Sequence, residues 1–320
     1  MMGKRIWMLP LALLLIVGLV GSGCSRDAGA EAEDYQLEEE TGEAGYRRTV
    51  LYYASDDGFM VPVMKRIPWE EGIGKAALGY LVDTASNRAA ADQMGLQAVV
   101  PEGVTFSLRI GDEGAAVVDI SGLTELADAG AEQALVTGVV NTLTEFDSID
   151  TVSITLDGAK VDSLPHGTDI SQAFSTLPLN VEDGEISVSS GSAYAMTLYY
   201  PNASASLNVP VTRYVEEKPD LETALEALLE GPQAEGLAAF PEGTALLSAY
   251  IDDGVAHVDL SEAFRAVEEV DGLLSALQTA ICLTANGLEP VYGADIYVEG
   301  EPYALHTLQV SAPIYVNEFK

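Results

Sequence analysis

Val118-Asp119-Ile120-Ser121 and Val258-Asp259-Leu260-Ser261 are one strand end written twice, 140 residues apart. Outward from this pair the chain repeats itself in the same order. Leu51-Tyr52-Tyr53 recurs as Leu198-Tyr199-Tyr200 at an offset of 147, and Val61-Pro62-Val63 as Val209-Pro210-Val211 at 148. Pro101-Glu102-Gly103 recurs as Pro241-Glu242-Gly243, and Leu143-Thr144 as Leu283-Thr284, both at 140. Asp157-Gly158 aligns with Glu299-Gly300 at 142. The order is unbroken, the shifts are small, and the period is far too long for a solenoid. The chain holds two tandem homologous domains.

Each copy reads alike. A strand carries Leu-Tyr-Tyr, and an extended segment holds Val-Pro-Val. In the second copy Leu221, Ala224, Leu225, Leu228 and Leu229 make one apolar helix face after Pro219, and Gly231-Pro232 stops it. The first copy has Ala77, Leu78, Leu81 and Val82 at matching positions, with Gly74 and Gly79 weakening its helix. Seven extra residues follow Asp83. Thr244 to Ile251 and Val255 to Leu260 form a hairpin through Asp252-Asp253-Gly254, repeated around Asp112-Glu113-Gly114. Ala256, Val258 and Leu260, like Ala116, Val118 and Ile120, set its buried face. A second helix, roughly 130–146 and 272–286, and a last strand, around 151–156 and 291–298, complete the copy. The expected fold is α+β, each domain β-α-β-β-α-β with both helices on one face of a small sheet.

The start of the chain has a different character. Lys4 and Arg5 precede about fifteen apolar residues from Ile6 to Val20, and Gly21-Ser22-Gly23-Cys24 follows. This is the order of a secretory leader and is short for a spanning helix. A cysteine directly after the small residues is the bacterial lipoprotein arrangement, with Gly21 where leucine is usual. Cys24 is therefore the expected lipidation site, and two or more acyl chains there give stable anchoring. Residues 25 to 46, rich in Glu with Gly and Ala between, read as a flexible tether of about 25 Å mean span.

Charge narrows the partners. The chain of 320 residues carries 50 acidic and 15 basic residues, a formal charge of −35, and 48% hydrophobic residues suffice for packed cores. Such a mean charge repels phosphate backbones and anionic headgroups, which argues against nucleic acid and against direct lipid-surface binding. It suits solubility or a basic protein partner. Of the two cysteines, Cys282 lies in an apolar helical stretch, so no disulfide staples the folded part.

The leader, the two Leu-Tyr-Tyr strands, the two Pro-Glu-Gly turns and the two Val-Asp-(Ile/Leu)-Ser ends together resemble the GerMN-domain family of sporulation and germination lipoproteins. The resemblance covers nearly everything from residue 49 onward. It implies 1–23 as signal peptide, 24–48 as tether, 49–175 and 195–320 as GerMN-like domains and 176–194 as linker. It also implies a lipid-anchored protein on the extracytoplasmic face, in a sporulating cell the mother-cell membrane facing the intermembrane space. The implied partners are envelope or sporulation-channel proteins, with self-association into rings. The family transfers no catalytic residue and no cofactor; Cys24 is the one functional position that carries over. Since GerMN domains occur in other envelope lipoproteins, a peptidoglycan-binding role outside sporulation is the alternative.

Catalytic chemistry is sparse. His166, His257 and His306 have no cysteine partner or ligand-spaced cluster for a metal. No nucleophile elbow, metalloprotease helix, P-loop or dinucleotide fingerprint occurs. Asp119 and Asp259 are the best paired carboxylates, readable as a general acid and base acting on wall material or as turn or helix-start caps. Retention in both copies favours the capping role. Of each Tyr-Tyr pair at most one ring is expected in the core, and the other is free for an interface or a glycan.

Overall fold

The Val-Pro-Val segments are full strands, and their partners are the Leu-Tyr-Tyr strands. In the computed structural model, which describes residues 45–182, 193–305 and 317–319, β1 (Tyr46–Ser55) and β2 (Met60–Pro68) pair antiparallel with Tyr52 opposite Pro62. After them come α1 (Ile73–Gly79), α2 (Ala85–Asp92), β3 (Leu96–Gln97), β4 (Thr105–Ile110), β5 (Ala115–Ser121), α3 (Ala129–Thr144) and β6 (Thr151–Leu156). The second copy is β7 (Tyr194–Pro201), β8 (Asn208–Val215), α4 (Leu221–Leu229), β9 (Leu246–Asp252), β10 (Val255–Leu260), α5 (Leu273–Asn286), β11 (Gly293–Val298) and β12 (Glu301–Ala304). Each copy thus has two strands more than the sequence order suggested. The leader, Cys24, most of the tether, linker residues 183–192 and His306 lie outside the described residues.

The class is α+β, with the strands of each copy in two ladders. These run β2-β1-β3 and β4-β5-β6 in the first copy, β7-β8 and β12-β11-β10-β9 in the second. The hairpins β4-β5 and β9-β10 turn through Glu113-Gly114 and Asp253-Gly254, all four at positive φ. The last strand of each motif then lies parallel beside the hairpin, so the intervening α3 or α5 must cross over. The excess after Asp83 is α2, an added helix capped by Thr84 on the Asn87 amide.

A helix covers the free side of each tyrosine strand. Tyr52 and Pro62 form a pair whose backbone groups point away from one another, so the Tyr52 amide needs an acceptor from elsewhere. Thr142 of α3, fully buried, accepts it at 3.2 Å, and in the second copy Thr284 of α5 accepts the Tyr199 amide at 3.1 Å. Close approach is possible because α3 has Gly138 at the crossing. A Cβ there would stand 3.2 Å from the Tyr52 carbonyl oxygen and 2.6 Å from Val99 Cγ2. These bonds correct the repeat alignment, because the counterpart of Thr284 is Thr142 and not Thr144. The offset becomes 142 before the helix, after a 3-10 segment at Glu262–Glu269 in the second copy.

Both faces of β1 are covered, which overturns the expectation for Tyr52 and Tyr53, while it holds for Tyr199 and Tyr200. Tyr52 and Tyr53 are both buried, at 6% and 2% exposure, Tyr200 is fully buried, and Tyr199 is half-buried. The Tyr52 hydroxyl donates to Glu145 beyond α3; that of Tyr53 donates to the Tyr80 carbonyl, and its ring meets Phe319 edge-on. Period-2 patterning cannot reveal a second covered face.

Residues Thr41–Lys320 make one compact unit containing both copies. Its join is a set of hydrogen bonds along the outer edges of β2 and β8. The Asn180 side chain accepts from Met60 N at 2.8 Å and donates to Met60 O at 2.8 Å and Pro210 O at 2.7 Å. Asn317 repeats this with the copies exchanged. It accepts from Asn208 N at 2.9 Å and donates to Asn208 O and Pro62 O, each at 3.0 Å. Backbone bonds complete the seal: Met64 pairs with Asn317 and Phe319, and Thr212 with Leu179 and Glu182. At Pro62 and Pro210 the asparagines offer only a donor, and proline brings no N–H to compete. Leu207 and Val209 of the second copy are buried in the first copy's core cluster.

We expect Thr142→Val and Thr284→Val each to destabilise the protein by about 1–3 kcal/mol in urea unfolding, the cost of a buried amide left without an acceptor. Thr144→Val should cost less, because its hydroxyl serves no strand amide.

Candidate functional site

Asp119 and Asp259 hold turns. Asp119 accepts from Thr155 Oγ1 at 2.6 Å, from the Gly158 amide at 2.7 Å and from Ser121 Oγ at 2.9 Å. Asp259 accepts from the Gly300 amide at 3.0 Å. The turn answers in kind, since Asp157 accepts from the Gly122 amide and Glu299 from the Glu262 amide. Gly158 and Gly300 follow Asp157 and Glu299, and all four have positive φ, a left-handed turn that brings the glycine amide back onto the aspartate. Hydrogen bonding from Thr155 is the chief reason that the Asp119 carboxyl sits below its ordinary range, against the opposing effect of burial. Both aspartates are thus committed to the same structural lock, at the ends of β5 and β10.

The histidines serve separate surroundings. His166 Nε2 donates to the Leu126 carbonyl at 2.7 Å, and its amide, with that of Thr168, donates to Glu132. Burial opposes ionisation of Glu132, but those bonds outweigh it and hold the carboxyl low. Both Glu132 oxygens are therefore engaged beside a cleft of about 240 Å³ lined by Leu123, Glu125, Leu126 and Pro165. Among the described residues no group of three His, Cys, Asp or Glu is placed to hold a metal ion. Cys282 is buried, and burial pushes its thiol up to about 11, far from a reactive thiolate.

His257 belongs to an aromatic stripe that spacing alone did not reveal. It lies opposite Tyr250 on β9 and Asp295 on β11. The Tyr250 and His257 rings stack at 4.7 Å and 14°, Tyr297 follows at 6.1 Å, and the Asp295 carboxylate lies 3.6 Å from His257 Nδ1. Tyr250 is 55% exposed. The first copy has Arg109, Val117 and Ser153 in the equivalent register, so the stripe marks the second copy alone. The usable signal was alternation: Tyr250, His257, Asp295 and Tyr297 all fall on the strand faces opposite the apolar set.

The edges divide into closed and open. β2 and β8 are sealed by Asn180, Asn317 and their neighbours. The two seals are anchored differently. Glu182 forms a buried ion pair with Arg213 at 2.7 Å, whereas Phe319 receives the Lys65 ammonium over its ring at 4.4 Å. Among the described residues β4, β9 and β12 end their ladders with no strand beyond them. Ile110 on β4 and Leu247 and Tyr250 on β9 are about half exposed. No described helix is long and apolar enough to cross a membrane.

This geometry defines a fused pair of small α+β modules whose ladders, among the described residues, end in open strand edges. The sequence matches the Germane family model, described as "Sporulation and spore germination", over residues 50–162 and 197–304, and the chain belongs to that family. It is 29% identical over 284 residues to the spore germination protein GerM of Bacillus subtilis, spanning 83% of this chain and 77% of that protein. The solved tandem GerMN domains of the sporulation protein GerM from Bacillus subtilis align with a TM-score of 0.65 at 27% identity. That alignment covers 86% of this chain and 100% of the other.

The Asp119 lock has a pH signature. A carboxyl held below its unfolded value of about 4 stabilises the fold above that pH and loses this contribution as pH falls through the lower folded value. Asp119→Asn should therefore be less stable than the parent at neutral pH and show a shallower loss of stability on acidification, measured by urea unfolding across the acid range.

Proposed function

We propose that this chain is an extracytoplasmic lipoprotein, held at the membrane through Cys24, that works in sporulation and spore germination by assembling with other envelope proteins and not by catalysis. Family membership supplies the setting. The observation that carries the mechanism is the division of strand edges: β2 and β8 are closed within the chain, while among the described residues β4, β9 and β12 have no strand beyond them. An open edge binds by adding a neighbouring strand, and pockets beside it give selectivity. Because β4 and β9 stand on different copies, contact between them in successive molecules is heterologous, and such contacts close into rings when the rotation permits. The acidic surface favours a basic partner and makes its association sensitive to salt.

Lipidation and role are tested together in the sporulating host. A fluorescent fusion should gather at the membrane around the developing spore, and loss of the chain should impair germination. Cys24→Ala should release the protein from the membrane fraction. Uniform envelope fluorescence with normal spores contradicts the sporulation role, and an unmodified, uncleaved leader in mass spectrometry contradicts the anchor.

A second reading, recognition of wall glycan, is favoured by the Tyr250-His257-Tyr297 stripe, since stacked aromatic rings suit sugar faces. On that reading the protein sediments with purified peptidoglycan and Tyr250→Ala abolishes it; on the assembly reading it stays in solution.

A further inference from the structure

We propose that successive molecules join by strand pairing, the β4 edge of one against the β9 edge of the next, with Arg109 of the first stacked on Tyr250 of the second. The inference rests on the assembly reading and gives it an occupant, a second copy of this chain, and a register.

The backbone limits the registers. β4 and β9 are corresponding strands of the two copies, and among the described residues each ends its ladder. Gly111 N donates to Ala115 O at 2.8 Å. Ladder bonds alternate, so Arg109, two residues back, turns its backbone groups to Val117, and Leu108 and Ile110 turn theirs outward. On β9 the two-residue loop Asp253-Gly254 closes on Asp252 and Val255. By the same count Tyr250 faces inward to His257, and Ala249 and Ile251 present their groups at the edge. Two edges pair only where outward groups meet. Antiparallel pairing of Leu108 with Ile251 and Ile110 with Ala249 satisfies this. It sets Arg109 directly opposite Tyr250 in a pair without mutual backbone bonds, the kind whose side chains stand closest. The bulge between Asp259 and Leu260 confines the regular edge of β9 to Ser248–Asp252, which in this register faces Ser107 to Gly111.

Side chains agree on both faces. Ile110 is 49% exposed, and pairing lays it on Ala249, with Leu108 on Ile251. Ala249 and Ile251 are half-buried residues packed against the second copy's core, so the apolar layer runs on from one molecule into the next. On the outer face one side of the Tyr250 ring lies against His257, and its other side looks past the edge, because β9 ends the ladder. A guanidinium there continues the row of Tyr250, His257 and Tyr297. Arg109 is exposed, and within its own ladder its charge acts on Asp119. Charge selects the partner edge. Pairing β4 with a second β4 in this register opposes Arg109 to Arg109, which is destabilising, and pairing β9 with β9 forgoes the cation. Between β4 and β9 no like charges meet: Asp252 faces Ser107 and Ser248 faces Gly111. Each molecule has one edge of each kind, so the contact is head-to-tail.

Cross-linking tests the register directly. In the chain from Ser25 onward the one cysteine is Cys282, which is buried. Ser107→Cys and Asp252→Cys are made as separate proteins. In the proposed register their Cα atoms stand about 4.5 Å apart, within reach of a disulfide. Mixed at millimolar concentration, that of tethered molecules, and oxidised, they should give a disulfide-linked dimer of one of each, much faster than either links to itself. A slip of two residues puts Ser107 opposite Gly254 or Tyr250, so the product reads the register. Arg109→Ala and Tyr250→Ala should each slow the linkage about two- to fivefold, as loss of an exposed cation–π contact requires, and Tyr250→Phe should retain it. Circular dichroism confirms the fold of each variant. Absence of the mixed dimer overturns the proposal, as does self-linkage of either variant at the same rate. A rate that neither alanine substitution changes also overturns it. Sedimentation with peptidoglycan through Tyr250, without the mixed dimer, makes glycan the occupant instead. Co-purification with another envelope protein, without the mixed dimer, overturns this contact and leaves the assembly reading standing. Failure of that reading shows elsewhere, in uniform fluorescence and normal spores.

Discussion

Two side-chain amides decide how the rest of the molecule is arranged. Asn180 and Asn317 each take both backbone groups of one residue on one copy and donate to a proline carbonyl on the other. A strand edge presents a row of donors and acceptors that must be paired or solvated. On β2 from Met60 to Met64 and on β8 from Asn208 to Thr212 that row is matched by the two asparagines and the short segments around them, so these parts of the outer edges close upon each other. The relation is isologous: what Asn180 does to Met60 and Pro210, Asn317 does to Asn208 and Pro62. Among the described residues β4, β9 and β12, which end their ladders, lie in the other ladder of each copy.

The duplication separates what the fold requires from what each copy has been free to change. The strand amide satisfied by a helical threonine, the aspartate closing a left-handed turn, and the proline opposite a tyrosine appear in both copies. These are solutions to backbone accounting, and Asp119 and Asp259 each hold a turn. The differences lie on exposed faces and in the seals. Arg109 and Val117 stand where the second copy has Tyr250 and His257, and Lys65 with Phe319 stands where it has Arg213 with Glu182. A cation over a ring survives salt and acid better than an ion pair does, so the two seals respond differently to conditions.

Local chemistry was legible in the sequence. The Leu-Tyr-Tyr strands, the hairpins at Glu113-Gly114 and Asp253-Gly254, the helix ended by Gly231-Pro232 and the turn role of Asp119 all follow from periodicity and turn residues. What escaped depends on distant segments meeting. Asn317 reaches Pro62 across 255 positions, and no window of sequence carries that pairing. The burial of both Tyr52 and Tyr53 needs a helix on one side and Phe319 on the other. The Thr142 equivalence was hidden by two residues added before α5, which made Thr144 look like the match.

Calorimetric unfolding of the unit from Thr41 onward tests the central claim, that the asparagine clamps fuse two modules into one cooperative body. The account predicts a single transition whose calorimetric and van't Hoff enthalpies agree, splitting into two when Asn180→Ala and Asn317→Ala are combined. Two separate transitions in the unsubstituted protein would contradict it.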